Sequence, residues 1–184
     1  MPANLEREIK LRFPSPEEAR AAVLAIGATP LRRRRLQDDF LLDTLESTLG
    51  SRRSVLRGRF EAGTCLLTFK GPTHAALMKV RDELETSVGD GELLLTILEQ
   101  LGFQLWFRYQ KYREELALAD CIVAIDETPL GTFVEIEGDE RGITDAAAAL
   151  GRGPGDYVLE SYLTLYSDHC RQHGRAVTHM LFES

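Results

Sequence analysis

The sequence predicts an α+β fold. An antiparallel sheet presents one apolar face to covering helices and keeps one charged face away from them. Three observations carry this. Leu5-Glu6-Arg7-Glu8-Ile9-Lys10-Leu11-Arg12-Phe13 sets Glu6, Glu8, Lys10 and Arg12 at every second position, with Ile9, Leu11 and Phe13 between them. Successive side chains of a strand point to opposite faces, so the charges share one side. Similar alternation returns along most of the chain, and four segments with helical caps or helical spacing interrupt it.

The elements follow in order. Leu5 to Phe13 is the first strand. Ser15-Pro16-Glu17-Glu18 starts a helix that runs to about Gly27: a serine cap, a proline in the first turn, and acids against the dipole. Gln37 to Asp43 is a strand. Ser54 to Phe60 and Thr64 to Lys70 form a hairpin turning through Glu61-Ala62-Gly63. Lys79 to Val88 is a further strand. Gly91 to Leu101 is a helix with Leu93, Leu94, Ile97, Leu98 and Leu101 on one stripe, ended by Gly102. Phe107 to Leu116 and Asp120 to Asp126 form another hairpin, and Thr132 to Gly138 is the last strand. A short alanine-rich helix follows Thr144, and a final helix spans Glu160 to Gln172. Gly151-Arg152-Gly153-Pro154-Gly155 lacks the lysine and Ser/Thr of a phosphate-cradling loop and reads as a connection. The segment after Gly174 reads equally as a tail or a terminal strand.

Composition sets the bounds. A chain of 184 residues, 43% hydrophobic and 28% charged, fits one globular domain over residues 1–184. The formal net charge of -7 argues against a general nucleic-acid binder. No apolar run approaches the ~20 residues of a membrane span, so no membrane partner is expected. No N-terminal stretch reads as a signal peptide. Cys65, Cys121 and Cys170 are widely spaced and odd in number, which fits small buried side chains in a reduced, cytoplasmic protein.

The charged positions recur on seven strands. The bases are Lys10, Arg12, Arg57, Arg59, Lys70, Arg81, Lys111 and Arg113; the acids are Glu6, Glu8, Glu83, Glu85, Asp126, Glu135 and Glu137. An antiparallel sheet with one wet face would also alternate. A wet face normally mixes in Ser, Thr and Gln, whereas these sets are rich in arginine and change sign from strand to strand. If the sheet curls into a barrel with helices outside, the charged face becomes a lumen. Such a lumen is costly unless its charges are paired or filled by ions. A polyanion would meet the bases and a hard divalent cation the acids, and a magnesium-bound triphosphate supplies both.

These residues resemble the CYTH family, or triphosphate tunnel metalloenzymes. Its Glu-x-Glu-x-Lys hallmark matches Glu6, Glu8 and Lys10. Gln37 to Thr44 resembles the family's second strand. Leu56-Arg57-Gly58-Arg59, Leu67-Thr68-Phe69-Lys70-Gly71-Pro72 and Arg81-Asp82-Glu83-Leu84-Glu85 resemble the next three. Lys111-Tyr112-Arg113, Asp126-Glu127 and Leu130 to Gly138 follow in order, and Ser161-Tyr162 is similar to an element of the C-terminal helix.

The resemblance implies an eight-stranded antiparallel β-barrel, or triphosphate tunnel, with helices packed outside. It implies a metal-dependent enzyme using magnesium or manganese. The metal-binding acids would be Glu6, Glu8, Asp126, Glu135 and Glu137. Lys10, Arg57, Arg59, Lys70 and Arg113 would hold phosphate. Arg12, Arg81, Lys111, Glu83 and Glu85 would line the tunnel, the three bases among them on the substrate side. Glu6, Glu8, Lys10, Lys70 and Arg113 form the expected catalytic set. The spacing is most similar to the class IV adenylate cyclase group, which converts ATP to cyclic AMP and pyrophosphate. Hydrolysis of tripolyphosphate, thiamine triphosphate or a nucleoside triphosphate is the alternative, and a non-catalytic polyphosphate-binding module the second. Exposed barrel and helix surfaces leave room for a homodimer.

Three lesser features have bland readings. Arg32-Arg33-Arg34-Arg35 reads as a solvated charge run or a basic rim steering anions to a tunnel mouth. His169 and His173 read as surface or capping histidines rather than a metal pair. Trp106 and Phe107 are expected to pack the barrel.

Overall fold

The computed structural model describes residues 4–74 and 76–183. Its eight strands are β1 (Asn4–Phe13), β2 (Thr29–Thr44), β3 (Val55–Glu61), β4 (Thr64–Lys70), β5 (Lys79–Val88), β6 (Phe103–Leu118), β7 (Cys121–Thr128) and β8 (Gly131–Glu137). They close into an antiparallel barrel in the order β1-β5-β4-β3-β2-β6-β7-β8. Closure is made by β1, which pairs with β5 through Glu6↔Arg81 and Glu8↔Lys79 and with β8 through Glu8↔Glu137 and Lys10↔Glu135.

The apolar half of each alternation faces outward. Ile9 and Leu11 of β1, Leu116 of β6, Val123 and Ile125 of β7, and Val134 and Ile136 of β8 are buried there. They pack beneath α1 (Pro16–Ala25) and α4 (Glu140–Ala149), which contribute Ala19, Val23, Ile143 and Ala147. Burying this outer layer, at roughly 25 cal/mol per Å² of apolar surface, holds the barrel closed around a polar interior. The helices start where their caps place them. Ser15 Oγ accepts from Glu18 N at 3.1 Å, and Asp139 Oδ1 accepts from Gly142 N at 2.6 Å. The Asp139 cap explains why α4 begins at Glu140, before the expected Thr144.

On the opposite side α3 (Gly91–Gln100) lies against β3 and β4. Its first residue must be glycine: a Cβ there would stand 2.6 Å from both Cys65 and Phe60. All three cysteines are buried. Asp43 ends the inward run of β2 by accepting hydrogen bonds from the backbone nitrogens of Thr44, Leu49 and Gly50. That gathers the following turn into α2 (Thr48–Ser51), a short helix the sequence reading did not anticipate.

Two strands are longer than expected, and both differences move side chains. The run Arg32–Arg35 lies within β2, and the pairing with β6 slips between Arg32 and Arg35. This irregularity brings Arg32 and Arg35, three residues apart, to the same inner rim. Arg34 points away, bonds Glu127 at 2.6 and 2.8 Å and lies over the Tyr112 ring at 3.7 Å. Another slip, opposite Leu41 and Leu42, falls at Trp106, which is 49% exposed, whereas Phe107 is 1% exposed. Phe107 packs the barrel as expected; Trp106 does not, because the bulge turns it outward.

One end of the barrel is stoppered. Leu41, Phe107, Tyr109, Phe133, Tyr162 and Met180 form a buried cluster there. Tyr162 comes from α5 (Tyr162–Gln172), which is stitched to the barrel on both sides. Before it, Val158 exchanges backbone hydrogen bonds with Lys10 of β1 at 2.8 and 3.2 Å. After it, Met180 bonds the backbones of Arg108 and Gln110 on β6 at 3.0 and 2.9 Å. The C-terminal segment is therefore a single bridge onto a strand edge. His173 caps α5, its ring nitrogen Nδ1 2.8 Å from the His169 carbonyl.

Candidate active site: a charged tunnel with one closed end

The inward halves of the strands line a cavity of about 270 Å³. Ten bases and eight acids contribute to its wall. Of the sequence-predicted residues, Glu6, Glu8, Lys10, Arg57, Arg59, Lys70, Arg81, Glu83, Glu85, Lys111, Arg113, Glu135 and Glu137 all line it. Arg12 does not. It lies one step past the inward set of β1 and is exposed, its guanidinium 4.8 Å from the Phe133 ring centre. Asp126 is fully buried behind the wall rather than at the cavity surface.

Cross-strand register turns this ring of charges into a lattice of ion pairs. Glu6 takes Lys70 at 2.6 Å and Arg81 at 2.8 Å. Glu8 is shared between Lys10 at 3.2 Å and Lys79. Asp126 receives Lys111 at 2.7 Å, both nitrogens of the Arg113 fork at 2.6 Å and the Tyr162 hydroxyl at 2.8 Å. Arg113 also reaches Glu135, which lies 3.5 Å from Lys10. Asp39, with no exposed surface, takes Arg59 at 2.8 Å and Arg57 at 3.4 Å.

Burial alone would push the buried carboxyls up, and the bases override it. Glu6 is brought down to about 2 by Lys70 and Arg81 against burial and Glu8. Glu8 falls well below the carboxylate range through Lys10, Lys79 and Lys70, against burial. Glu135 does the same through Lys111, Arg113 and Lys10. Two lysines go the other way. Burial, reinforced by Lys10 and Arg81, lowers Lys79 to about 8; burial and Arg113 lower Lys111 to about 8.

Two acids go up instead: Glu83, raised by burial and by Glu6 in spite of its pair with Lys70, and Glu137. Glu137 is exposed at the rim, and no ion pair to it occurs among the described residues. Partial loss of hydration along the cavity wall, then Glu6 and Glu8, push its carboxyl up to about 7. Among the described residues no three His, Cys, Asp or Glu side chains form a ready-made metal cage. The donor set is nonetheless of the right kind. Glu6, Glu8 and Glu137 are hard oxygen donors on neighbouring inward positions of β1 and β8, and a cation would relieve their mutual repulsion. Asp126 fits less well, since both its oxygens are occupied by bases and Tyr162.

Beyond the rim arginines, the sequence pattern assigns no site role to several residues that the structure brings to the cavity or its wall, Lys79, Asp39, Gln37 and Tyr162 among them. Lys79 opens β5, and Asp39 neighbours an outward acid of the same type, so neither stood out. Arg35, Gln37 and Tyr162 reach the cavity through the β2 slip, the extended β2–β6 pairing and the return of α5. The Ser161-Tyr162 motif opens α5 and sets the Tyr162 hydroxyl against Asp126.

Known proteins share the sequence pattern and the fold. A family model described as the CYTH domain matches residues 4–152. A Methanocaldococcus jannaschii protein named "Putative adenylate cyclase MJ0240" is 28% identical over 134 residues, which is 72% of this chain and 76% of that one. A Vibrio parahaemolyticus structure described as "a putative adenylate cyclase" superposes with a TM-score of 0.78 at 21% identity, over 90% of this chain and 99% of its own. HpAC1 from Hippeastrum, for which a dominant triphosphatase activity is stated, has a TM-score of 0.66 at 18% identity, over 94% of this chain and 97% of its own. At these identities the two structures speak for the fold.

Proposed function

The chain belongs to the CYTH domain family, and on that premise we propose that it is a divalent-metal-dependent enzyme that binds a triphosphate in its tunnel and converts ATP to cyclic AMP and pyrophosphate. The observation that supports the triphosphate is the convergence of ten bases and eight acids on one cavity closed at its far end, and the likeness to a protein named as an adenylate cyclase supports cyclisation. With Asp39 and Asp126 just behind the wall, the lumen's charges balance. A bare polyanion would upset that balance; a triphosphate arriving with divalent cations largely preserves it.

The protein's own part is positioning and charge neutralisation, which phosphoryl chemistry needs most. Arg57 and Arg59 offer guanidinium nitrogens to phosphate oxygens, Arg113, whose Nε and Nη2 are held by Asp126, offers its remaining nitrogen, and Lys10, Lys70 and Lys111 act as point charges. Asp39 and Asp126 hold these bases in place before substrate arrives, so little reorganisation is needed when charge develops. Glu6, Glu8 and Glu137 would hold magnesium or manganese, with Glu135 beside them. A bound divalent cation supplies charge stabilisation at phosphate oxygens and acidifies a coordinated nucleophile.

In the cyclase reading the ribose 3′-hydroxyl attacks the α-phosphorus and pyrophosphate leaves. A second reading, hydrolysis of a triphosphate to diphosphate and phosphate, uses the same bases. The triphosphatase activity stated for the Hippeastrum protein favours it. Incubation with ATP, tripolyphosphate and thiamine triphosphate, each with magnesium or manganese, followed by product separation, decides between them. Cyclic AMP with pyrophosphate is the expected outcome. Inorganic phosphate from any of the three would support hydrolysis, and no turnover of any would overturn both readings.

A further inference from the structure

We propose that the rim formed by β2, β3, β4 and β6 is a subsite for an uncharged, hydrogen-bond-donating organic group, read by Gln37 and packed against Leu66. The proposal rests on the triphosphate reading and names what the outer end of that substrate must be.

Gln37 is 1% exposed, with Glu61 of β3 on one side and Lys111 of β6 on the other. Its Nε2 donates to Glu61, which fixes the orientation of the amide. Its Oε1 is therefore an acceptor. That atom is buried and has no partner among the described residues. Buried polar atoms are nearly always satisfied, so an orphan acceptor on a cavity wall marks where a donor from a ligand fits.

The surroundings define the ligand further. Arg35 donates from one nitrogen to the backbone carbonyls of Arg33 and Arg113. Its other nitrogens sit 2.7 Å from Glu61 and 2.9 Å from Glu115. Arg32 lies 3.7 Å from the same two acids. Two bases thus face two acids, and the rim has no surplus positive charge for a fourth phosphate. Leu66 of β4 is the one aliphatic side chain among the described residues lining the cavity.

Topology requires the same. Tyr162, Phe133, Phe107 and Met180 fill the other end of the barrel. A triphosphate held by the deep bases can extend only toward the open rim. The group emerging there meets an apolar wall, an unpaired acceptor and a neutral ion cluster. Arg35 Nε and Nη2 lie within ion-pair distance of Glu61 and Glu115 but have no hydrogen-bond partner among the described residues, so the rim also offers donors. A nitrogen heterocycle brings an N–H for Gln37, ring nitrogens for Arg35 and an apolar face for Leu66; a further phosphate, an acceptor only, would leave Gln37 Oε1 unpaired.

The test is calorimetric binding, with magnesium, of the non-hydrolysable imido analogues of ATP and of tripolyphosphate. Gln37→Met removes the acceptor, and Leu66→Ala removes the apolar wall without touching the ion cluster. Each is expected to weaken the nucleotide analogue by roughly five- to tenfold, the worth of one lost contact, while the ratio of nucleotide to tripolyphosphate affinity falls by the same factor. Equal loss for both ligands, or no loss for either, in folded variants would overturn the subsite and leave the tunnel's function standing. Weakened binding of a longer linear polyphosphate, with the nucleotide unaffected, would mark the rim as a phosphate site and also overturn the proposal. Failure of the wild-type protein to bind either analogue would bring down the triphosphate reading itself.

Discussion

The hydroxyl of Tyr162 donates to Oδ2 of Asp126 at 2.8 Å, tying the C-terminal helix to a fully buried carboxylate of the barrel. The same carboxylate holds Lys111 and Arg113. The helix that stoppers the barrel thereby orients two bases of the candidate site. Asp126 lies on β7 and Tyr162 opens α5, 36 positions later in the chain.

Removing that hydroxyl separates structure from chemistry. Tyr162→Phe keeps the ring against Phe133 and Tyr109 but leaves Asp126 one donor short. It should cost about 1 kcal/mol in a urea unfolding series. Asp126→Asn leaves Lys111 and Arg113 buried with less opposing charge and should cost about 3–5 kcal/mol. A loss in Asp126→Asn no larger than in Tyr162→Phe would show that the floor is not held by this carboxylate.

The acids at β1 and β8 are expected to bind metal. Glu8→Gln and Glu137→Gln should each greatly reduce metal-dependent turnover while circular dichroism reports an intact barrel. Calorimetry should show weaker magnesium binding in both. Unchanged turnover in both variants of an active protein sinks the metal assignment.

Arg57 is buried beside Asp39, and no divalent-cation role attaches to it. Arg57→Ala should raise the KM for the triphosphate by about ten- to a hundredfold, as expected for one charge-assisted contact. A fall in kcat with KM unchanged would move Arg57 from substrate binding to the reacting centre.

The raised carboxyl of Glu137 makes stability depend on pH in a defined direction. Its folded value of about 7 lies above the ordinary 4.5, so the folded protein holds more protons than the unfolded chain between those values. Stability of the metal-free protein should therefore fall as pH rises from about 5 to 8. Glu6, brought down to about 2, acts below this window: its contribution is lost only as pH falls under about 4. Thermal unfolding across pH 5 to 8 should show the decline in wild type and a flatter profile in Glu137→Gln. Magnesium affinity should rise over the same interval. A profile identical in the two proteins would remove Glu137 as its source.

Much of the site was legible because strand alternation is a local property. Glu6-x-Glu8-x-Lys10 and Glu135-x-Glu137 announce a charged face through spacing alone, and the closed barrel makes that face the interior. Asp38 and Asp39 show the limit. They are chemically alike and adjacent. Asp38 turns outward to Arg108 and Gln110, and Asp39 turns inward to Arg57 and Arg59. The alternation of Gln37 to Asp43 marks that they differ without saying which of them meets a base.

The sequence by itself determined the eight strands and the separation of an apolar face from a charged one, because both follow from a period of two and from the burial of apolar side chains. Partner choice was decided by tertiary structure alone. Asp126 meets Tyr162 because α5 returns across the barrel end. Arg32 and Arg35 share a rim because β2 slips against β6, and Glu8 is divided between Lys10 and Lys79 because β1 closes the barrel on both sides. Register and closure join residues far apart in the chain, and no local pattern encodes them.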